Sequence, residues 1–581
     1  MTQDKTRRFS SFTYLNTSQF LAALNDNIFK LLVIYFLMQR EGFANSHKIL
    51  ATTGAVFVLP FLLFSASSGI LADRFSKRNI IVLTKIAECF TLSLGILAFY
   101  LESKVGAYCT LFLMATLSAI FAPSKYSILP EIVASDKISK ANGMLTSFTS
   151  LAIILGTFIA SFLLEISDRN FIFAASCTTF LAFIAMVSSF CIEYTPPSGS
   201  CKCFNILFVK EIISTLKLIS TYPSLLMAVF GSAFFMFLGA FTQLNMIPFA
   251  VEALHLSDTQ GGYLFLLAAI GIATGSILSG KISGKTAELG LVPIACFGIA
   301  TSCFMMDFLS DSIQAILPTI AILGLFGGIY QIPLDSYVQI SSPSTTRGQI
   351  VAATNFLSFF GVLLASFLVY CNTEFLGAHA DKGFTIVGSL ALMMTMLISY
   401  QYFDYLTRFI GMVLSKLKFQ TTLEGSKIIP ETPAIYVCTH KAWNDTLLIL
   451  GAQRRRMRFF IEQEQDHSSK WAVKIYRLLR IVFISEIEPL DNNIDCQQAI
   501  LSTLKKGISV CIFVSSDDLT AEIEKLHQSP YFKQIIEKTN CPTIAVSIER
   551  GEKLLKPSTL SRLLKKFRVP TDISFLEQRP L

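Results

Sequence analysis

Three groups of residues in this chain have types and spacings that could do chemistry. The first is THKAWND, residues 439–445, in which four residues separate His440 from Asp445. A histidine can take a proton from a hydroxyl, and a carboxylate can fix its tautomer and orientation. On one continuous helix, five steps of about 100° would turn Asp445 some ~140° away from His440. The two meet only if His440 sits in a loop and Asp445 in the first turns of the helix that follows. The second group is Asn25, Asp26 and Asn27, inside an apolar run, with Lys125 at the edge of another. An acid inside an apolar span is costly unless it faces a cavity or a partner, which makes Asp26 a candidate binding residue. A hydrogen bond that only joins two helices is the plainer reading of Asp26. For Lys125, beside a turn shaped by Pro123, the plainer reading is a lysine stretching toward the membrane surface. The third group is GILADRFSKR, which sets Gly69, Asp73, Arg74, Lys77 and Arg78 in a G-x-x-x-D-R-x-x-K-R pattern.

These residues need elements to hold them, and the composition says which kind. The chain has 581 residues, 52% of them hydrophobic and 15% charged, with a mean hydropathy of +0.56. That is too apolar for a soluble protein of this length. Long apolar runs alternate with short polar gaps from residue 13 to about 410, whereas 419–581 lack any uncharged run of spanning length. Twelve spans are expected, at 13–39, 48–72, 80–101, 106–124, 143–166, 170–194, 225–251, 260–282, 290–309, 313–334, 349–371 and 383–412. Each has or approaches the roughly 20 residues needed to cross the hydrocarbon layer. Fifteen Lys and Arg fall in one set of gaps and five in the other, which assigns the richer set to the cytoplasm. An even number of spans leaves both termini there as well. No cleavable signal peptide is expected, since the first apolar run continues for a full span without a small-residue cleavage site.

The organisation that follows is a six-helix bundle over 1–194, a cytoplasmic linker over 195–224, a second bundle over 225–415 and an α/β unit over 419–581. The two bundles echo each other. SGILADRFSKR (68–78) aligns with GSILSGKISGK (275–285), and FLAALND (20–26) with FLGAFTQ (237–243), as parallel repeats leave behind. GSILSGKI nearly spells a phosphate-binding loop, but Ile282 stands where Ser or Thr is required and no strand precedes it. ATP hydrolysis is thereby excluded. The thirteen cysteines lie mostly in apolar segments and read as reduced thiols. Cys201 and Cys203 are too close for a zinc pair, so no metal is expected. The net charge of +8 has no basic stripe interleaved with aromatics, so nucleic acid is not expected as a partner.

GILADRFSKR resembles the signature loop of the major facilitator superfamily. The resemblance implies that Gly69 permits close helix approach and that Asp73 meets a helix terminus and cationic partners, gating the cytoplasmic side. In the second half Gly280 replaces the acid, so an asymmetric gate is expected. More narrowly, QFLAALNDN (19–27), APSKYSILPE (122–131), KANG (140–143) and GGIYQIPLDSYVQ (327–339) resemble, in order, the bacterial lysophospholipid transporter family over about residues 10–410. Members move lysophospholipids, notably lysophosphatidylethanolamine, inward across the inner membrane. The resemblance implies a polar cavity holding Asp26 for an ethanolamine ammonium and Lys125 for the phosphate. Where relatives can carry an arginine in the seventh helix this chain has Gln243, one cation fewer for a phosphate.

The C-terminal unit alternates the strand-like runs AIYVCT, RIVFIS, ISVCIFV and TIAVSI with helical stretches. Over 419 to about 550 it resembles the glycerolipid acyltransferases, which implies that His440 is the general base for a lipid hydroxyl attacking an acyl thioester and that Asp445 orients it. Other family features are altered. Where a Pro-Glu-Gly loop is expected stand Val514, Ser515, Ser516, Asp517 and Asp518, and Glu486 and Glu488 flank the place of a missing arginine. Added acids repel a phosphate. Lys441, Arg454, Arg455, Arg456 and Arg458 offer compensating charge or a seat on anionic lipid heads.

The expectation is thus a twelve-helix, all-α membrane transporter of the major facilitator type followed by a cytoplasmic α/β acyltransferase-like domain. It would lie multi-pass in the bacterial inner membrane, bind lysophospholipid and membrane lipid, and need no cofactor. An acyl-carrier-protein or CoA thioester would be the acyl donor, the carrier protein and a separate acyl-carrier-protein synthetase being the partners. The alternatives are a membrane-anchored lysophospholipid acyltransferase, and a transporter of another amphiphile with an inactive C-terminal domain.

Overall fold

The computed structural model describes residues 2–42, 46–202, 208–284, 286–375, 377, 379–424, 430, 432–439, 444–453, 455–463, 482–485, 494–514, 519–550 and 569–577. Two compact units divide the chain, Met1–Tyr402 and Phe403–Leu581.

Twelve long helices build the first unit: α1 (Thr2–Glu41), α2 (Ser46–Arg74), α3 (Lys77–Tyr100), α4 (Lys104–Ser127), α5 (Ile138–Ile166), α6 (Phe171–Phe190), α7 (Pro223–Glu252), α8 (Asp258–Ser283), α9 (Leu291–Phe308), α10 (Ile313–Ser341), α11 (Arg347–Tyr370) and α12 (Ala380–Gln401). All twelve are long and apolar enough to cross a membrane. Short polar residues start several of them. Ser76 and Ser103 accept the backbone N–H of Asn79 and Gly106, and Ser257 forms a reciprocal capping box with Gln260.

Three of the boundaries that differ from the sequence expectation bear on the site or on the division into units. α4 runs through Pro123 to Ser127, and α10 through Pro333 to Ser341. A membrane helix tolerates proline when its surroundings satisfy the freed backbone group, so Pro123 shapes no turn and both helices run past their expected ends at 124 and 334. The twelfth span ends at Gln401, not 412. Tyr402 is buried and donates its hydroxyl to the Ser224 carbonyl at 2.9 Å. A separate helix, Phe403–Lys418, belongs to the second unit. Its charges at Asp404, Arg408, Lys416 and Lys418 make it amphipathic rather than spanning.

α1–α6 and α7–α12 form the two bundles, which meet through α2 with α11 and α5 with α8. Within the second bundle α8 and α10 cross on glycine. A Cβ on Gly275 would lie 2.0 Å from the Leu325 carbonyl, and one on Gly328 would lie 2.3 Å from that of Ile272. Small residues four apart let membrane helices approach this closely. That is the physical role of Gly275 in the segment that nearly spells a phosphate loop.

A seven-stranded sheet centres the second unit: β1 (Phe419–Glu424), β2 (Ile435–Thr439), β3 (Met457–Gln463), β4 (Val482–Ser485), β5 (Ser509–Val514), β6 (Thr543–Arg550) and β7 (Val569–Glu577). Their order is β1-β7-β6-β2-β5-β3-β4, parallel except between β6 and β7. Alternate residues of the central strands feed two cores. Tyr436, Cys438, Phe459 and Phe513 pack on one face with Leu448 and Ile449 of the helix Asn444–Ala452. Ile435, Val437, Phe460 and Ile512 pack on the other with Ile500, Leu504, Phe532 and Ile535. Both faces are covered, as a mainly parallel sheet requires.

Candidate functional site

A cavity of about 480 Å³ opens between the bundles of the first unit. The first bundle contributes Gln19, Asp26, Asn27 and Lys30 from α1, Ser118 and Lys125 from α4, and Thr149 from α5. From the second bundle come Ser232 and Gln243 of α7, Gln331, Asp335 and Gln339 of α10, and Asn355 of α11. Apolar side chains, among them Phe57, Phe61, Phe121, Met236, Phe265 and Phe359, make up much of the remaining wall. Asp26, Asn27, Lys125 and Gln243 therefore share one chamber, with Asp26 and Gln243 at corresponding places of the two repeats. Asn25 does not line it. It is fully buried, and its side-chain amide has no hydrogen bond among the described residues.

The polar groups differ in how far they are already engaged. Ser118 donates to Asp26 Oδ2 at 2.9 Å, while Asp26 Oδ1 is buried without a hydrogen bond among the described residues. Asn27 folds its amide back onto the Ala23 carbonyl at 2.7 Å. Lys125 makes no ion pair among the described residues. Its ammonium stands 4.5 Å from the Tyr126 ring centroid and 5.8 Å from that of Phe121, contacts that attract a cation without neutralising it. It stands in the last turn of α4, on the cavity wall and not in a turn beyond the helix.

Sequence reading missed four charged groups here. Lys30 and Asp335 line the cavity. Behind the wall, Lys85 and Glu88 of α3 form a buried ion pair at 2.5 Å, with the Lys85 ammonium 4.3 Å from the Phe121 ring centroid. Lys85 and Glu88 are both within electrostatic reach of Asp26. The signal was present, since each is an ionisable residue in an apolar helix. Ending the tenth span at 334 left Asp335 one residue outside it.

At the end of the unit that carries Asp73, the bundles are shut. Asp73 is fully buried at the C-terminus of α2, where it accepts the backbone N–H of Gly348 at 2.7 Å and of Gln349 at 2.9 Å, together with the Gln349 side-chain amide at 3.2 Å. The α11 N-cap, Thr346, supplies no side-chain bond, so Asp73 caps that helix from the other bundle. Beside it a Cβ on Gly69 would fall 2.5 Å from Ala352 Cβ. The rest of the motif works within the first bundle or faces outward. Lys77 pairs with Glu131 at 2.6 Å and bonds Ser198 Oγ, while Arg78 donates to the carbonyls of Phe190 and Ile192. Arg74 is exposed. On the other seam Asn142 and Gln339 exchange two amide hydrogen bonds at 3.0 Å, and a Cβ on Gly280 would sit 2.8 Å from the Ser139 carbonyl.

In the second unit Asp445 is buried in the first turn of the helix that follows β2. His440, Lys441, Arg454, Glu486, Glu488 and Ser515–Asp518 lie outside the described residues. Thr439 pairs with Val514 and Gln463 with Ser485 in parallel register, so β2, β3, β4 and β5 all end at one edge, the carboxyl edge at which α/β sheets bind ligands. Val514 itself is buried in the core. Burial pushes the Tyr436 hydroxyl up to about 12 and raises the Cys438 thiol, leaving both neutral on this strand.

Two pseudo-repeated helical bundles around a polar chamber define the architecture of a membrane carrier. Residues 15–366, more than half of the chain, match the Major Facilitator Superfamily model, and the chain belongs to that superfamily. Residues 420–549 match the Acyltransferase family model. Similar curated proteins include the lysophospholipid transporter LplT of Photorhabdus laumondii subsp. laumondii, 26% identical over 58% of this chain and 82% of the relative. LplT of Salmonella arizonae is 24% identical over 64% of this chain and 92% of its own length. Among solved structures, the human organic anion transporter MFSD10 superposes with a TM-score of 0.56 at 14% identity, over 67% of this chain and 99% of that one. A bacterial homologue of the iron transporter ferroportin, in an outward-facing state, gives 0.54 at 12% identity, over 68% and 99%. These superpositions speak for the fold.

Proposed function

We propose that the first unit carries lysophospholipid, above all lysophosphatidylethanolamine, across the bacterial inner membrane to the cytoplasmic leaflet, and that the second unit receives or re-acylates it. The observation that carries this reading is Lys125, a lysine without an ion-pair partner among the described residues, on the wall of a chamber whose surface also carries many aromatic and aliphatic side chains. A lysophospholipid needs a cation for its phosphate, a few polar groups for the rest of its head and an apolar wall for one acyl tail. A sugar would leave the Lys125 cation and the apolar wall without a matching group. The names of the curated relatives support the same substrate class.

The Lys and Arg asymmetry puts both termini and the Asp73 end in the cytoplasm. With that end shut, the cavity loads from the outer side. Rocking the bundles apart at Asp73 and Gly280 would release the lipid inward. In the second unit His440 would take the proton from the lysolipid hydroxyl as it attacks an acyl-carrier-protein or CoA thioester, with Asp445 holding the imidazole. The oxygen–acyl bond forms as the thioester bond breaks, and the proton leaves with the thiol.

The test is the full chain in proteoliposomes with labelled lysophosphatidylethanolamine, with and without acyl-carrier thioester. Time-dependent uptake is expected, together with diacyl product that His440→Ala abolishes. Absence of uptake in the parent protein would overturn the transport reading, and absence of product would make the second unit a receiver only.

A further inference from the structure

We propose that Asp335 is the specificity-determining residue for a zwitterionic head group, holding its ammonium while Lys125 holds the phosphate, so that the head spans the two bundles. The inference rests on the lysolipid reading of the cavity and moves the ammonium from Asp26, where the sequence put it, to the opposite wall.

The two walls carry opposite charge. On the first bundle Lys30 and Lys125 face Asp26, leaving one positive charge over. On the second bundle the cavity-lining residues include no Lys, Arg or His, and Asp335 is their one charge. Gln243, neutral where relatives can place arginine, preserves that sign. A phosphate is therefore drawn to one wall and an ammonium to the other, an arrangement an anionic head without an amine could satisfy only in half.

The carboxylates also differ in availability. Asp26 has one oxygen bonded to Ser118 and the other buried, with Lys30 and Lys85 nearby to balance it. Its charge is set against theirs. Asp335 receives Gln331 Nε2 at 2.6 Å and Ser232 Oγ at 3.3 Å, both on Oδ1. Among the described residues no hydrogen bond or ion pair reaches Oδ2. The two donors fix the carboxylate and leave an oxygen for a ligand cation. Lys125 lies within electrostatic reach of Asp335, so one head group of modest length can touch both.

The test compares uptake of lysophosphatidylethanolamine with that of its N-acetyl derivative, which keeps tail and phosphate and loses only the charged amine. The parent protein should prefer the free amine by about tenfold or more, as one charge-assisted contact allows. In Asp335→Asn that preference should fall to within about twofold, and Asp335→Glu should restore much of it. Asp26→Asn should slow both lipids together and leave the preference in place. Where Asp335→Asn stalls the carrier, the same ratio is read from thermal stabilisation of the purified protein by the two lipids. A parent with no preference, or an Asp335→Asn variant that keeps it, overturns the inference. A parent that takes up neither lipid removes the lysolipid reading, and this inference with it.

Discussion

Replacing Asp73 with Asn should loosen the closed end of the carrier by an amount that can be worked from its contacts. The carboxylate is fully buried and accepts three hydrogen bonds from α11, two of them from first-turn amides. Asparagine keeps the shape but offers one acceptor oxygen and turns its amide nitrogen toward other donors. Two charge-assisted bonds at about 1.5 kcal/mol each sum to about 3 kcal/mol, or roughly a hundredfold shift toward states in which α2 and α11 separate. Hydrogen–deuterium exchange in nanodiscs reads this directly. Amides of a peptide covering 347–352 should exchange about a hundred times faster in the variant, because their protection is lost when the bundles part.

The same experiment can refute the reasoning. If Asp73 is a latch for whole-bundle rocking, the seam at Gly143 and Ser276 must open with it, and its amides must speed up too. Acceleration confined to 347–352 would reduce Asp73 to a local helix cap. Exchange unchanged within about twofold, where a hundredfold is worked out from two lost bonds, would mean the contact does not hold the end shut.

Lys125→Met removes a cavity cation while keeping its length. The catalytic efficiency of lysolipid uptake should fall about tenfold or more, with thermal stability little changed because the lysine forms no ion pair among the described residues. Lys85→Met should be different in kind. It strands Glu88 in a buried site and should cost about 3–5 kcal/mol, whereas Lys85→Met with Glu88→Leu should recover most of that loss. Melting temperatures of the solubilised variants decide it, and a double variant no better than the single would show that the pair does not act as a unit.

Much of this was legible in the sequence for one reason: a bilayer forces long apolar helices, and apolarity survives in composition. The repeat was legible too, and the aligned residues Asp26 and Gln243 do line one chamber. Less legible was where helices end, because proline signals a stop in water and only a bend where neighbours satisfy the backbone. That physical difference set Lys125 outside its helix, and ending the tenth span at 334 rather than at Ser341 hid Asp335. The buried Lys85–Glu88 pair lay in plain view inside the third span, but its meaning depends on α3 packing behind α1 and α4, which no local pattern states. In the C-terminal unit the alternation of strand and helix gave the sheet, while the edge that gathers the ends of β2, β3, β4 and β5 follows from register.

The repeats also explain why the closed end has unequal seams. Asp73 in the first repeat corresponds to Gly280 in the second, and both sit where bundles touch. One seam is a carboxylate on helix-start amides, which water can replace bond for bond as the helices part. The other packs a glycine against a backbone carbonyl and adds neutral bonds only, two between the Asn142 and Gln339 amides and one from the Ser147 hydroxyl to the Ala273 carbonyl. Rocking must then open both seams together, against charge-assisted bonds on one and neutral bonds on the other. The walls of the cavity follow the same logic, positive on one bundle and negative on the other. A head group that ties them together resists that rocking until its charges find water on the far side.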